Sequence, residues 1–350
     1  MKSFLKKPRS PIGIDIGRRR IKAAQFNRSA TGWRLAAAAS VRRGVSQPTI
    51  GPEEIRRLRA ALAERGFKGN AIVLAVPAER LLSGIMELPP PDSGAPIDRL
   101  ARSEMARLHK CDPQSLETCC WALPDPARAA NTMFVMGVAC THADADRLLD
   151  VFEDESFDVE RLDVQARALA RSCRPLLDRV KGTAGIVDLG WTAARLILMY
   201  EGVVVYERKL PRSGVHGLIK ALAAELERTE EQVERELHEK AFWSALSAGS
   251  GAGEADGDTA ADRYLAGLVE EMRIPMSYLA NQYPEAALER FLLVGGGATI
   301  PGLPDRLGAA LACEVQAVLP SDLVICPESF DEQYGPALAA ALGLSRPEEG

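Results

Sequence analysis

The sequence lacks the features that would place it across a membrane. None of its apolar runs approaches the roughly 20 residues needed to span a bilayer, so a soluble chain is expected. Residues 1–8 carry charge without an apolar stretch behind it, and no secretory leader is expected. Cysteine offers no framework either. There are seven, an odd number, with no CxxC pair and no Cys/His spacing suited to a metal; Cys119 and Cys120 are merely adjacent. That argues against a zinc site or a disulfide scaffold, and for reduced thiols in a cytoplasm. The histidines, His109, His142, His216 and His238, are scattered and read as ordinary surface or interfacial residues. A net charge of -5 argues against a dedicated nucleic-acid binder.

What remains is a globular composition, 47% hydrophobic and 26% charged, in 350 residues. That length suffices for two domains, or for one split by a cleft. The charge is uneven: residues 1–28 hold nine Lys or Arg against the single acid Asp15, while residues 225–262 are rich in Glu and Asp. A basic end suits an anionic surface or a nucleotide, and equally a solvated face.

The most informative stretch is Gly13-Ile14-Asp15-Ile16-Gly17-Arg18-Arg19-Arg20-Ile21-Lys22. An apolar strand carries an aspartate, turns at Gly17 through three arginines, and resumes as a second strand. A carboxylate buried in a strand needs a partner. The turn bunches backbone N–H groups and cations, which suits an anion. Alone, the stretch reads as well as a plain basic hairpin.

The chain then nearly repeats itself. Gly185-Ile186-Val187-Asp188-Leu189-Gly190 has the same apolar-Asp-apolar-Gly order, followed by a turn at Trp191-Thr192 and two strands, 193–200 and 203–210. Strand-DxG-turn-strand-turn-strand thus occurs at 12–41 and at 184–210, the mark of an internal duplication. A third feature, Val294-Gly295-Gly296-Gly297, ends a buried strand shortly before a helix at 303–311. Glycines there let a ligand approach the backbone, at the strand end where open α/β sheets hold ligands. None of these stretches has the GxGxxG spacing of a dinucleotide site.

Between the repeats the texture changes. Residues 81–163 read as a compact β-α-β-β-α-β insertion, closed by a strand at 159–164, and a helix at 164–179 leads out of it. Helices are expected at 213–226, 230–241 and 264–282, the last kinked or ended in its first part by Pro275. Residues 244–259 are low in complexity and read as a flexible surface loop.

Together, the two DxG hairpins and the VGGG turn resemble the actin-like ATPase superfamily, and most nearly the PilM family of type IV pilus assembly proteins, related to FtsA and the cytoplasmic part of GspL. The resemblance implies an α/β, duplicated ribonuclease H-like fold in two halves around a nucleotide cleft. It divides the chain into an actin-like subdomain at 9–85, an inserted SHS2-like α+β subdomain at 86–163 and a connecting helix at 164–182. A second actin-like subdomain follows at 183–214 and 276–346, with a smaller one at 215–275. ATP and magnesium are the implied cofactors. Asp15 and Asp188 would flank the metal through water. Gly17, Arg18, Arg19, Lys22, Gly190 and Thr192 would lie at the β- and γ-phosphates. Gly295, Gly296 and Gly297 would face the adenosine and α-phosphate, Ser213-Gly214 would form a turn under the nucleotide, and Glu234 would contact the adenine side.

The implied role is a cytoplasmic scaffold, reaching the inner membrane by binding the cytoplasmic tail of a PilN-like partner in a groove between the insertion and the first half. A link to pilus motor ATPases goes with it, and the oligomeric state stays open. The chain departs from the family's pattern in three ways. Arg18-Arg19-Arg20 replace a small, hydroxyl-rich turn, Trp191 fills a small position, and no threonine follows Ser213-Gly214. Arginines bind phosphate well but place an attacking water poorly, so at most weak hydrolysis is expected. The alternatives are a small-molecule kinase of the superfamily, for which no acid/base carboxylate stands out, and an FtsA-like filament former, whose terminal amphipathic helix finds no match in residues 345–350.

Overall fold

Strand-forming, β-branched and alanine-rich sequence opens the first half. In the computed structural model, which describes residues 9–30, 32–44, 49–124, 132–178, 180, 182–243 and 259–346, it gives β1 (Ile12–Ile16), β2 (Arg20–Ser29) and β3 (Gly32–Arg42). Helix α1 (Pro52–Glu64) starts on a proline, which suits the first helical position, and buries Ile55, Leu58 and Leu62. The apolar run after it becomes β4 (Ala71–Ala75). Next come β5 (Leu82–Leu88), α2 (Ile97–His109), β6 (Leu116–Ala122) and β7 (Met133–Thr141). Helix α3 (His142–Glu153), β8 (Asp158–Asp163) and α4 (Gln165–Leu177) complete this half.

The second half begins with β9 (Thr183–Leu189), β10 (Ala194–Tyr200) and β11 (Val203–Leu210). Helices α5 (Val215–Glu225), α6 (Glu230–Glu236) and α7 (Ala260–Gln282) follow. Then come β12 (Leu288–Val294), α8 (Leu303–Leu311), β13 (Glu314–Ala317), α9 (Pro320–Leu323), α10 (Ser329–Tyr334) and α11 (Ala339–Ser345).

The two large sheets have the same design. Their orders are β3-β2-β1-β4-β8 and β11-β10-β9-β12-β13. In each, a three-strand antiparallel meander joins two parallel strands through its first strand. The duplication read from the two DxG hairpins therefore extends to whole sheets. A shared core joins them: Leu169 and Cys173 of α4 and Ala339 to Leu342 of α11 pack with Ala24 and Phe26 on one side and Ile186 and Leu292 on the other. All seven cysteines are free, and burial pushes the Cys173 thiol up to about 12, which keeps it inert.

The insertion is smaller than the sequence pattern suggests. Its own sheet has three strands, β5-β7-β6, with α2 packed on one face. Strand β8, expected to close it, instead pairs in parallel with β4 of the first sheet, and Leu148 and Phe152 of α3 pack in the first half's core. A strand's partner is decided by long-range packing that local alternation does not encode. Two helices also differ from expectation. Helix α7 does not end at Pro275 but continues through it, because a buried face of Leu268, Met272, Pro275 and Leu279 outweighs the lost backbone bond. Helix α6 ends at Glu236, with Leu237 turned into the core. The low-complexity stretch 244–258 and the basic residues 1–8 lie outside the described residues.

Candidate functional site

Each DxG hairpin places its aspartate opposite a cation. In β1–β2 the register sets Asp15 against Lys22, and the Lys22 Nζ lies 2.6 Å from Asp15 Oδ2. In β9–β10 it sets Asp188 against Arg195. The equal spacing in the two repeats is a signal that sequence reading had available and missed. The two pairs are not equivalent, however. Arg195 turns to Glu207 on β11, and among the described residues the side-chain hydrogen bond to Asp188 is the one donated by Gln165 Nε2 at 3.2 Å. Gln165 opens α4, and its carboxamide is a group able to orient a water beside Asp188.

The electrostatics follow from this asymmetry. Burial alone would push the Lys22 ammonium down, but Asp15's charge and hydrogen bond, with Asp188 beyond, hold it above the ordinary lysine value. Burial, then Asp15's charge, pushes the Asp188 carboxyl above the usual range, against the pull of Lys22 and Arg195. A carboxyl whose folded value is raised binds its proton more readily folded than unfolded. It therefore favours folding at acid pH and loses that contribution as pH rises through the folded value. Asp188→Asn is accordingly expected to raise the melting temperature at pH 7, with the gain shrinking toward pH 4. Thermal melts across that range check it; an equal gain at both ends counts against the cause given.

The turns after the aspartates face each other. Gly17 N–H donates to Arg20 O, and Arg43, tied to Glu54, donates to Gly17 O at 3.2 Å. Arg19 crosses the cleft: its guanidinium lies 4.5 Å from the centre of the Trp191 ring and forms an ion pair with Glu234 on α6. Trp191 is in turn stacked on His216, 4.8 Å between centroids, and His216 is 2.9 Å from Glu230. Arg18 Nη1 and Arg19 Nε are buried without a hydrogen-bond partner. The Arg18 donor, with no ion-pair partner among the described residues, suits an anion, whereas the charge of Arg19 is met by Glu234.

The remaining candidates divide. Gly295 has φ 83°, and a Cβ there would meet Asp188 Oδ1 at 2.2 Å; at Gly297 it would meet Val215 and Leu189. Their glycine character is accounted for by the protein's own packing. Gly296 is exposed and has nothing within 4 Å of a Cβ position, so it is the glycine open to a ligand. Gly214 is pressed against Thr192, Ser213 donates to Glu271 at 2.6 Å, and Thr192 is exposed beside Gly190. Gln165, Arg43, Glu271 and His216 reach this region through tertiary packing, with no local pattern to announce them. Among the described residues no group of three His, Cys, Asp or Glu could hold a metal. Asp15 and Asp188 thus fit magnesium only as a water-bridged ion completed by phosphate oxygens.

Two matched sheets, each with a DxG hairpin turned toward the same cleft, define an actin-like ATPase fold. The model of the type IV pilus assembly protein PilM matches residues 13–345, and the chain belongs to that family. Among solved structures, it is similar to the PilM–PilN type IV pilus biogenesis complex (TM-score 0.75, 19% identity, 96% of this chain and 97% of the other). It is also similar to the ethanolamine utilization protein EutJ of Carboxydothermus hydrogenoformans (TM-score 0.55, 15% identity, 97% and 90%). A further likeness is to a diol dehydratase-reactivating factor in nucleotide-free form (TM-score 0.51, 11% identity, 96% and 99%). No curated protein matches. No described helix is long and apolar enough to cross a membrane.

Proposed function

We propose that this chain is a cytoplasmic scaffold of a type IV pilus or related secretion machine. It binds the cytoplasmic tail of a PilN-like inner-membrane partner, holds a nucleotide in the cleft, and reaches the membrane through that partner. The observation that carries the reading is the family match over residues 13–345, joined to fold similarity with a PilM–PilN complex along nearly the whole chain. Arg18, Lys22, Thr192 and Gly296 are the residues assigned to the nucleotide, with Asp15 and Asp188 beside any magnesium. Bound ATP would supply phosphate charge to the unpaired Arg18 donor; turnover is at most slow, because Arg19 and Trp191 fill the space a water would need.

The tail is assigned to the border between the insertion and the first half, around the turn Ala78–Arg80 and the start of α3. A separate cavity of about 280 Å³ lies on the insertion's other flank, lined by Ser83, Ile85, Trp121 and Tyr206. Side chains alternate along β5, and Ser83 is exposed on the cavity side while Leu82 and Met86 pack under α2. Ser83→Trp therefore fills the cavity and tells the flanks apart. Immobilised tail peptide is expected to capture wild type and Ser83→Trp equally. Capture of wild type alone moves the tail to the cavity, and capture of neither removes the scaffold reading.

A further inference from the structure

Arg19, in the turn of the first hairpin, and Trp191, in the turn of the second, touch each other. We propose that they form a latch that makes the cleft select a nucleoside diphosphate over the triphosphate. The inference rests on the nucleotide reading above and specifies which nucleotide that site takes.

The physical case has three parts. First, the latch occupies space. Arg19 belongs to the turn of one hairpin and Trp191 to the turn of the other, so their 4.5 Å contact fills the gap between the two turns. A terminal phosphate gripped by both turns would need that gap. Second, the latch uses up charge. Arg19 has its guanidinium face on Trp191 and its Nη2 on Glu234, so it is already neutralised. A further phosphate arriving there meets the Glu234 carboxylate rather than a free cation. Lys22, also assigned to the nucleotide, has its charge already offset by Asp15, so it adds little pull on a further phosphate. Arg18, with Nη1 buried and unpaired, is a cation of the turn with no ion-pair partner among the described residues, and one guanidinium serves one phosphate better than two. Third, the latch is braced. His216 stacks on Trp191 at an interplanar angle of 16°, and Glu230 holds His216. Moving Trp191 aside means breaking that stack as well.

An arginine on an aromatic face is a favourable contact that strengthens as water leaves. Arg19–Glu234 is the weaker part, being about a third exposed on both sides. Removing either partner should therefore loosen the latch, and removing Trp191 should loosen it more.

The test is calorimetric titration of the full chain with ADP and with ATP, magnesium present in both. Wild type is expected to bind ADP at least tenfold more tightly than ATP, which corresponds to about 1.4 kcal/mol. Trp191→Ser, which empties the gap, is expected to bring the two within about threefold. Glu234→Gln, which frees Arg19 and leaves the ring in place, should narrow the ratio by a smaller factor. It also covers the case in which Trp191→Ser fails to fold, which thermal melts would reveal. Wild type binding ATP as tightly as ADP overturns the selectivity and leaves nucleotide binding standing. A ratio unchanged in both variants overturns the latch. Binding of neither nucleotide overturns the proposal together with the nucleotide reading beneath it.

Discussion

Lys22→Ala is expected to destabilise the fold by about 3–5 kcal/mol, the cost of stranding a buried charge. Asp15 is the reason. Its side chain is 8% exposed and its Oδ2 is held by Lys22 at 2.6 Å, with the Asp188 carboxyl nearby. Remove the ammonium and the carboxylate has no ionic partner left among the described residues, with the Asp188 carboxyl still close by. The loss should be far smaller when Asp15→Asn accompanies it, because the uncompensated charge is then gone. The pH dependence has a definite sign. Lys22 is held above its ordinary value, so its contribution is complete below the unfolded lysine value and is lost only as pH rises through the folded one. Urea melts at neutral pH should thus show the full difference. A loss below about 1 kcal/mol, the range of exposed ion pairs, would mean that Asp15 is already satisfied by something else.

Gly343→Ala should cost at least about 3 kcal/mol, at the upper end for an overpacked core. Helix α11 lies so close to α4 that a Cβ on Gly343 would come within 1.8 Å of the Ala168 carbonyl oxygen. That atom is backbone, so relief requires one helix to move. The same helix closes on the first DxG strand, where a Cβ on Gly13 would meet Ala341 O at 2.3 Å. Displacing α11 therefore also disturbs the strand that carries Asp15. Gly267→Ala is the matching control. Gly267 lies within α7 with nothing near its Cβ position, and there alanine should stabilise by about 1 kcal/mol. Denaturant midpoints of the two variants should move in opposite directions. A shared direction would show that close approach at the α4–α11 crossing is not what demands glycine.

The parts legible in the sequence were those written in short-range order. The apolar-Asp-apolar-Gly repeats exposed the duplication, and the register places Asp15 and Asp188 at matching positions of two equivalent sheets. The family followed from the same residues. What stayed hidden depends on contacts between distant segments. The pairing of β8 with β4 took a strand from the insertion and gave it to the first sheet. Pro275 sits inside a helix because the buried face around it holds. The glycine run also divides only in three dimensions, since Gly295 and Gly297 answer to neighbouring protein atoms and Gly296 to open space. Arg19 and Trp191 each stood out as odd residues in their turns. That they meet across the cleft could not be read from either repeat alone.

The central claim is that the chain is a scaffold that engages a PilN-like tail, and titration calorimetry of the full chain with that synthetic tail peptide tests it most directly. Saturable binding of one peptide per chain is expected, retained in an Asp15→Asn, Lys22→Met variant whose nucleotide cleft is disabled. Absence of binding by the folded wild-type chain, with and without ATP, would contradict the account.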